Sequence, residues 1–196
     1  GKDEFWGDGV STEGSAWNDI NVPSCLEMNG YGEPMYVNVD YPFEDQQPYV
    51  RMKAGLKNSV GSYRRDFTLP EGWENKRVFL HFDGIYSASY VYVNGNEIGY
   101  TEGANNVSEF DITKYVRTGK NNVAVQVIRW TDGSYLEGQD MWHMSGIHRD
   151  VYLVATPKTY LADHYIKSTV TPGATTVATG SATTSVELTV CNRDKT

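Results

Sequence analysis

No stretch of this sequence is long and apolar enough to cross a bilayer as a helix, which takes about 20 such residues. The opening Gly1-Lys2-Asp3-Glu4-Phe5-Trp6 also lacks the charged-then-apolar layout of a secretory leader. The sequence therefore reads as a chain outside the membrane, with cytoplasm, periplasm and the exterior after loss of a leader all left open. Basic runs are missing too: 25 acidic residues outnumber 17 basic ones for a net charge of −8. A phosphate backbone would find no footprint, so nucleic acid is not an expected partner. Cysteine is scarce, and Cys25 and Cys191 stand near opposite ends of the chain in no C-x-x-C or metal spacing. Two buried free thiols are expected, with a disulfide as the alternative. His81, His143, His148 and His164 form no H-E-x-x-H, and the chain has no G-x-S-x-G, no G-x-G-x-x-G after a strand and no P-loop. His81, inside an apolar strand, reads as a satisfied core histidine rather than a ligand.

Helical periodicity is the last absence, since no window keeps an apolar helical stripe for three turns. What is present is β patterning. Tyr63 to Leu69, Arg77 to Phe82, Ala88 to Val93, Asn122 to Trp130 and Asp150 to Ala155 are short runs rich in Val, Ile, Tyr, Phe and Thr between Gly, Asn and Asp punctuation. Some alternate and some are almost continuously apolar, as a two-layer core requires. Asn94-Gly95 suits the positive φ angles of a tight hairpin, pairing Tyr90 to Val93 with Glu97 to Tyr100. Phe110 to Val116 reads as one helical turn capped by Asp111 or Thr113 and closed by Gly119.

Near Thr156-Pro157-Lys158 the pattern changes. Residues 171–184 are rich in Thr, Ala and Gly, and only two further strand-like runs follow the boundary, His164 to Val170 and Ser185 to Cys191. Two strands are marginal alone in water. The expected organisation is one β-sandwich over residues 1–157 and the beginning of a second domain over 158–196.

The richest chemistry lies in Tyr135-Leu136-Glu137-Gly138-Gln139-Asp140-Met141-Trp142. Glu137 and Asp140, or Asp132 and Glu137, have the residue types of a glycosidase acid and base. Such a pair must stand roughly 5 to 9 Å apart across a bond, which loop spacing does not fix, and solvated loop carboxylates are the simpler reading. As a sugar clamp the stretch is better suited, because carboxylates accept from hydroxyls while flat aromatics cover C–H faces. The 13 % aromatic content fits that and equally fits an aromatic core.

Taken together, seven segments resemble glycoside hydrolase family 2, and the β-galactosidase branch in particular. They run in family order: Trp17, Ile20 and Val22-Pro23-Ser24; Gly30 to Phe43 with its Tyr36-Val37-Asn38-Val39 centre; Tyr63-Arg64-Arg65 with Phe67; Phe82-Asp83-Gly84 with Ser87-Ala88; Val93-Asn94-Gly95 with Gly99-Tyr100; Ser108 to Thr113; and Arg129 to Val151. Val-Asn-Gly is a weak signal, whereas Asp132-Gly133-Ser134-Tyr135-Leu136-Glu137 followed by Gln139-Asp140-Met141-Trp142 is specific. The resemblance implies an all-β fold: a jelly-roll, galactose-binding-like sandwich followed by the first strands of an incomplete immunoglobulin-like sandwich. The catalytic barrel of the family is then absent, and so are its glutamates, because Asn96-Glu97 leads into Ile98 and not into the Asn-Glu-Pro of the family.

On that resemblance no residue here is catalytic. Asp140 matches a sugar-hydroxyl acceptor that is also a sodium ligand, and Asn38 matches a second sugar contact. Glu137, Tyr135 and Trp142 are expected to support the loop. Implied partners are a β-galactoside or galactose, held weakly by this piece, and the missing barrel of the same chain, in a parent that could be a homo-oligomer. Sodium, and magnesium in the full-length enzyme, are the implied ions, neither required by this piece. His143 stands where an Arg is expected, and Thr131 and Gly138 also depart from the pattern. A stand-alone carbohydrate-binding module and a structural or adhesion sandwich are the competing functions.

Overall fold

The computed structural model describes residues 4–13, 17–38, 40–137, 139–173 and 180–192. Gly138 and much of the Thr-, Ala- and Gly-rich stretch lie outside them. Among the described residues eleven strands run in chain order: β1 Met35–Val37, β2 Val60–Thr68, β3 Arg77–Phe82, β4 Ala88–Val93, β5 Asn96–Glu102, β6 Ser108–Asp111, β7 Lys120–Ile128, β8 Met141–His143, β9 Val151–Thr156, β10 Thr159–Thr171 and β11 Ser181–Asn192. Short 3-10 turns occur at Glu27–Asn29 and Asp132–Tyr135.

The expected all-β sandwich is what the chain forms. One antiparallel sheet has the order β2-β7-β4-β5 and the other β6-β3-β9. Val78, Leu80 and Phe82 of β3 face Val91 and Val93 of β4 and Val125 and Val127 of β7, and Ile85, Ile112 and Ile147 close the ends; none of these ten is more than 4 % exposed. Burying a side chain of this size contributes about 1.5 to 3 kcal/mol, so this shared core is what holds the two layers face to face. At the β4–β5 turn Asn94 and Gly95 take φ values of 49° and 78°. Both positive angles match the right-handed twist of the flanking strands.

The expected capped turn within 110–116 forms, and it starts after a strand. Phe110 and Asp111 belong to β6, with Leu80 opposite Phe110 and Phe79 opposite Asp111, because Phe110 finds apolar cover against the core. Only the following residues turn, with the amides of Tyr115 and Val116 donating to Ile112 O at 2.9 and 3.1 Å. Asp111 is the cap: its Oδ1 accepts from the Thr113 amide at 3.1 Å and from the Thr113 hydroxyl at 2.5 Å. Gly119, at φ 82°, closes the segment before β7. The cysteines form no disulfide with each other, as expected, but are half-buried rather than buried. His81 is satisfied, with its ring nitrogens 3.2 Å from Glu109 Oε2 and 3.1 Å from Asp83 Oδ1 and its ring stacked on Tyr152.

Beyond β9, β10 and β11 pair, among the described residues, only with each other. His164 opposes Leu188 and Ile166 opposes Val186, so one side of this hairpin is apolar and open to solvent.

Candidate functional site

A short ribbon at the side of the sandwich carries the candidate site. In it β1 and β8 pair antiparallel, Met35 with His143, Tyr36 with Trp142 and Val37 with Met141. Its inward face rests on a second aromatic cluster built from Phe43 and Trp130, with Met35, Tyr41 and Tyr135 packed against it. His143 is fully buried, 4.7 Å from the Trp130 ring and 3.3 Å from the Tyr86 hydroxyl through Nδ1. Burial raises the Tyr86 phenol to about 12, so at neutral pH it remains a hydroxyl able to bond the imidazole.

Charge sealed beneath the ribbon fixes its base. Arg129 Nη2 donates to Glu33 O, just ahead of β1, and to His143 O, at the end of β8, both at 2.8 Å. Its Nε lies 3.4 Å from Glu27 Oε1. Glu27 in turn accepts from the Ser145 amide at 2.7 Å and the Ser145 hydroxyl at 2.8 Å. Gly146 follows at φ 128°, where a Cβ would stand 2.9 Å from the Tyr63 hydroxyl and 3.0 Å from Ser24 O, so glycine is demanded at this position by close approach as well as by backbone angle.

The open end of the ribbon is where the expected sugar contacts fall. Asn38 follows Val37, the last paired residue of β1, and Asp140 precedes Met141, the first paired residue of β8; both side chains are exposed. Asp140 has a φ of 57°, a left-handed angle that Asp tolerates better than most residues. Its Oδ1 accepts a hydrogen bond from the Tyr36 hydroxyl. Trp142 is 56 % exposed on the same face as Tyr36, with ring centroids 5.7 Å apart and edge-to-face. The two tryptophans of this stretch thus divide: Trp130 is core at 2 % exposure and Trp142 is surface.

Glu137 and Tyr135 are anchors in this geometry. Glu137 Oε1 accepts from the Ala104 amide at 2.9 Å. The Tyr135 hydroxyl lies 2.9 Å from Glu44 O and 3.0 Å from Tyr49 O and accepts from the Gln46 amide at 3.2 Å, fastening the 44–49 loop beside the ribbon. The carboxylate pairings weighed on spacing separate: Glu137 is tied to Ala104, Asp140 to Tyr36, and Asp132 to Glu102, which raises the Asp132 carboxyl. Thr131 bonds Ser87 through its hydroxyl at 3.0 Å, and its amide donates to Ser134 Oγ at 3.0 Å, starting the 3-10 turn ahead of Tyr135.

Sequence reasoning missed Tyr36 and Arg129 as members of this site, although both lie within the quoted segments. Their partners are remote in the chain, and no local period marks three-residue strands. For a cation the described residues offer too little: no group of three His, Cys, Asp or Glu converges among them, and Asp140 brings one carboxylate where hard cations take six or more oxygens.

A side ribbon that shows a carboxylate, an amide and two aromatic rings to solvent, on an antiparallel two-layer scaffold, has the chemistry of a sugar-binding β-sandwich. The model of glycosyl hydrolases family 2, sugar binding domain, matches residues 2–157, and the chain belongs to that family. Among curated proteins it is similar to the β-galactosidase of Priestia megaterium, 44 % identical over 153 residues, which are 78 % of this chain and 15 % of that protein. It is also similar to the β-galactosidase of Photobacterium profundum, 45 % identical over 157 residues, 80 % of this chain and 15 % of that protein. The chain thus spans about 15 % of the length of these relatives. A β-glycosidase from Bacteroides vulgatus superposes with a TM-score of 0.62 at 25 % identity, covering 97 % of this chain and 23 % of that one. The fold is shared with a β-glucuronidase of Bacteroides uniformis, TM-score 0.64 at 22 % identity, over 84 % of this chain and 18 % of that one.

Proposed function

We propose that this chain is the non-catalytic substrate-side domain of a retaining β-galactosidase, presenting Asp140 and Asn38 to the terminal galactose while barrel carboxylates outside this chain cleave the bond. The observation that carries the reading is the exposed Asp140 carboxylate at the open end of the β1–β8 ribbon, in a chain whose curated relatives of the same region are β-galactosidases. An ionised Asp accepts a charge-assisted hydrogen bond from a sugar hydroxyl, and the Asn38 amide adds a donor and an acceptor beside it. Glu137 and Tyr135 hold the approach to that loop. Asp140 would serve as one ligand of a sodium ion whose other oxygens come from elsewhere in the full-length enzyme. Residues 158–196 are read as the start of an immunoglobulin-like domain.

With only part of a pocket present, few hydrogen bonds offset the entropy of holding a sugar, so galactose should bind no tighter than about millimolar and no hydrolysis should occur. Galactose titration followed by NMR tests this, with Asp140→Ala expected to abolish the response. Binding that survives Asp140→Ala and is lost on replacing a surface tryptophan would point to a stand-alone carbohydrate-binding module. When the chain is extended to the length of its relatives, galactosidase activity should appear and fall by orders of magnitude in Asp140→Ala. Undiminished activity in that variant would refute the role of Asp140.

A further inference from the structure

We propose that Tyr36 is a positioning residue for Asp140: its hydroxyl holds one carboxylate oxygen so that the other is presented to the ligand. The inference rests on Asp140 being a galactoside acceptor and goes beyond it by naming what aims the group. Asp140 needs aiming, because its side chain is exposed and sits on a left-handed turn residue. Neither packing nor a backbone bond among the described residues fixes its rotamer. The Tyr36 hydroxyl is the donor to Oδ1, and Oδ2 makes no hydrogen bond among the described residues. A hydroxyl bonded to a carboxylate is a strong, directional contact even near solvent.

Tyr36 is itself held in place. Its backbone is paired with Trp142 in the β1–β8 ribbon, and the Trp142 ring meets it edge-to-face. The neighbouring Met35–His143 pair is anchored by the Arg129 bond to His143 O. The chain of support therefore runs from a buried guanidinium through two paired strands to a phenol and out to the carboxylate. The same bond acts on the phenol, since Asp140 as acceptor and as nearby negative charge raises the pKa of Tyr36 above the ordinary tyrosine value of 10.0.

Tyr36→Phe removes the donor and keeps the ring, the strand and the Trp142 contact. Two measurements on the 196-residue chain decide the proposal. In the first, the ¹³Cζ signal of Tyr36 is followed with pH; it should titrate above the ordinary phenol range and move back toward it in Asp140→Asn. A purely structural tyrosine would not respond to that change. In the second, galactose is titrated against the Trp142 indole signal. Tyr36→Phe should weaken binding about tenfold, the loss expected for one hydrogen bond to a charged group, with unfolding temperature unchanged and Asp140→Ala weakening binding at least as much. The positioning role is overturned if Tyr36 titrates as an ordinary phenol, or if Tyr36→Phe leaves galactose binding within about twofold while Asp140→Ala abolishes it. If the wild-type chain gives no saturable response, or Asp140→Ala leaves it unchanged, the galactoside reading of Asp140 fails and takes the role of Tyr36 with it.

Discussion

Arg129 shows how much one residue can decide here. Its side chain is 7 % exposed and that of Glu27 1 %, so each charge depends on the other and on the carbonyls and Ser145 groups around them. Burial lowers the Arg129 pKa and the Glu27 charge opposes that. Removing one partner strands the other in low dielectric, which typically costs about 3 to 5 kcal/mol. Arg129→Met should therefore shift the urea midpoint strongly downward, and Arg129→Met combined with Glu27→Gln should recover part of the loss; a single variant as stable as wild type would contradict the clamp. His143 stands fully buried where an Arg was expected from the resemblance. The ring packs on Trp130 and meets the Tyr86 hydroxyl, so ring packing and a hydrogen bond steady the loop at this position.

Among the elements, the segment from β6 into the 112–116 turn carries a pH signature. Burial works against the ionised Asp111 carboxylate, but the Thr113 hydroxyl and the Arg77 guanidinium more than offset it, leaving the pKa below 3.8. A depressed carboxyl stabilises the fold fully above its unfolded pKa, and that stability is lost as pH falls from there through the folded value. Stability measured by denaturant should thus drop below about pH 3.8, and Asp111→Asn should flatten that acid limb; an unchanged limb would show that Asp111 does not contribute to it. The β10–β11 hairpin makes a different prediction. Among the described residues its strands pair only with each other, and Ile166, Val186 and Leu188 remain more than half exposed. A lone pair of strands is marginal, so amides of 181–192 should exchange far faster than those of Val123 to Ile128 in β7. Equal protection in a monomer would show that something covers the hairpin.

As a whole, the molecule is a two-layer core with the candidate site groups displaced onto a side ribbon. The core is closed by Val, Leu, Ile and Phe from both sheets, while the ribbon leans on a separate aromatic cluster of Phe43 and Trp130. The chain ahead of the ribbon is also fastened to the sandwich: Trp6 stacks on Tyr92 with centroids 5.0 Å apart, and Asp8 bonds Arg117 through both carboxylate oxygens at 2.9 and 3.0 Å. Site geometry therefore rests on these packed contacts of the sandwich and its aromatic cluster. This is what a domain requires if it is to hold one side of a pocket whose other side lies outside it.

The pattern of apolar and polar residues by itself determined the long strands, because β3, β4, β7 and β9 carry their burial in local alternation or in continuous apolar runs. Asn94-Gly95 determined the tight turn, since few other residues accept both φ angles. The motif around Asp140 and Asn38 singled out the two polar groups now found at the open end of the ribbon. Only the tertiary structure decided that β1 and β8 pair, that Trp130 is buried while Trp142 is exposed, and that Tyr36 bonds Asp140. Strands of three residues have no period to read, and the Tyr36–Asp140 contact joins residues 104 positions apart, a proximity that exists only once the sandwich has folded and brought both strands onto its side.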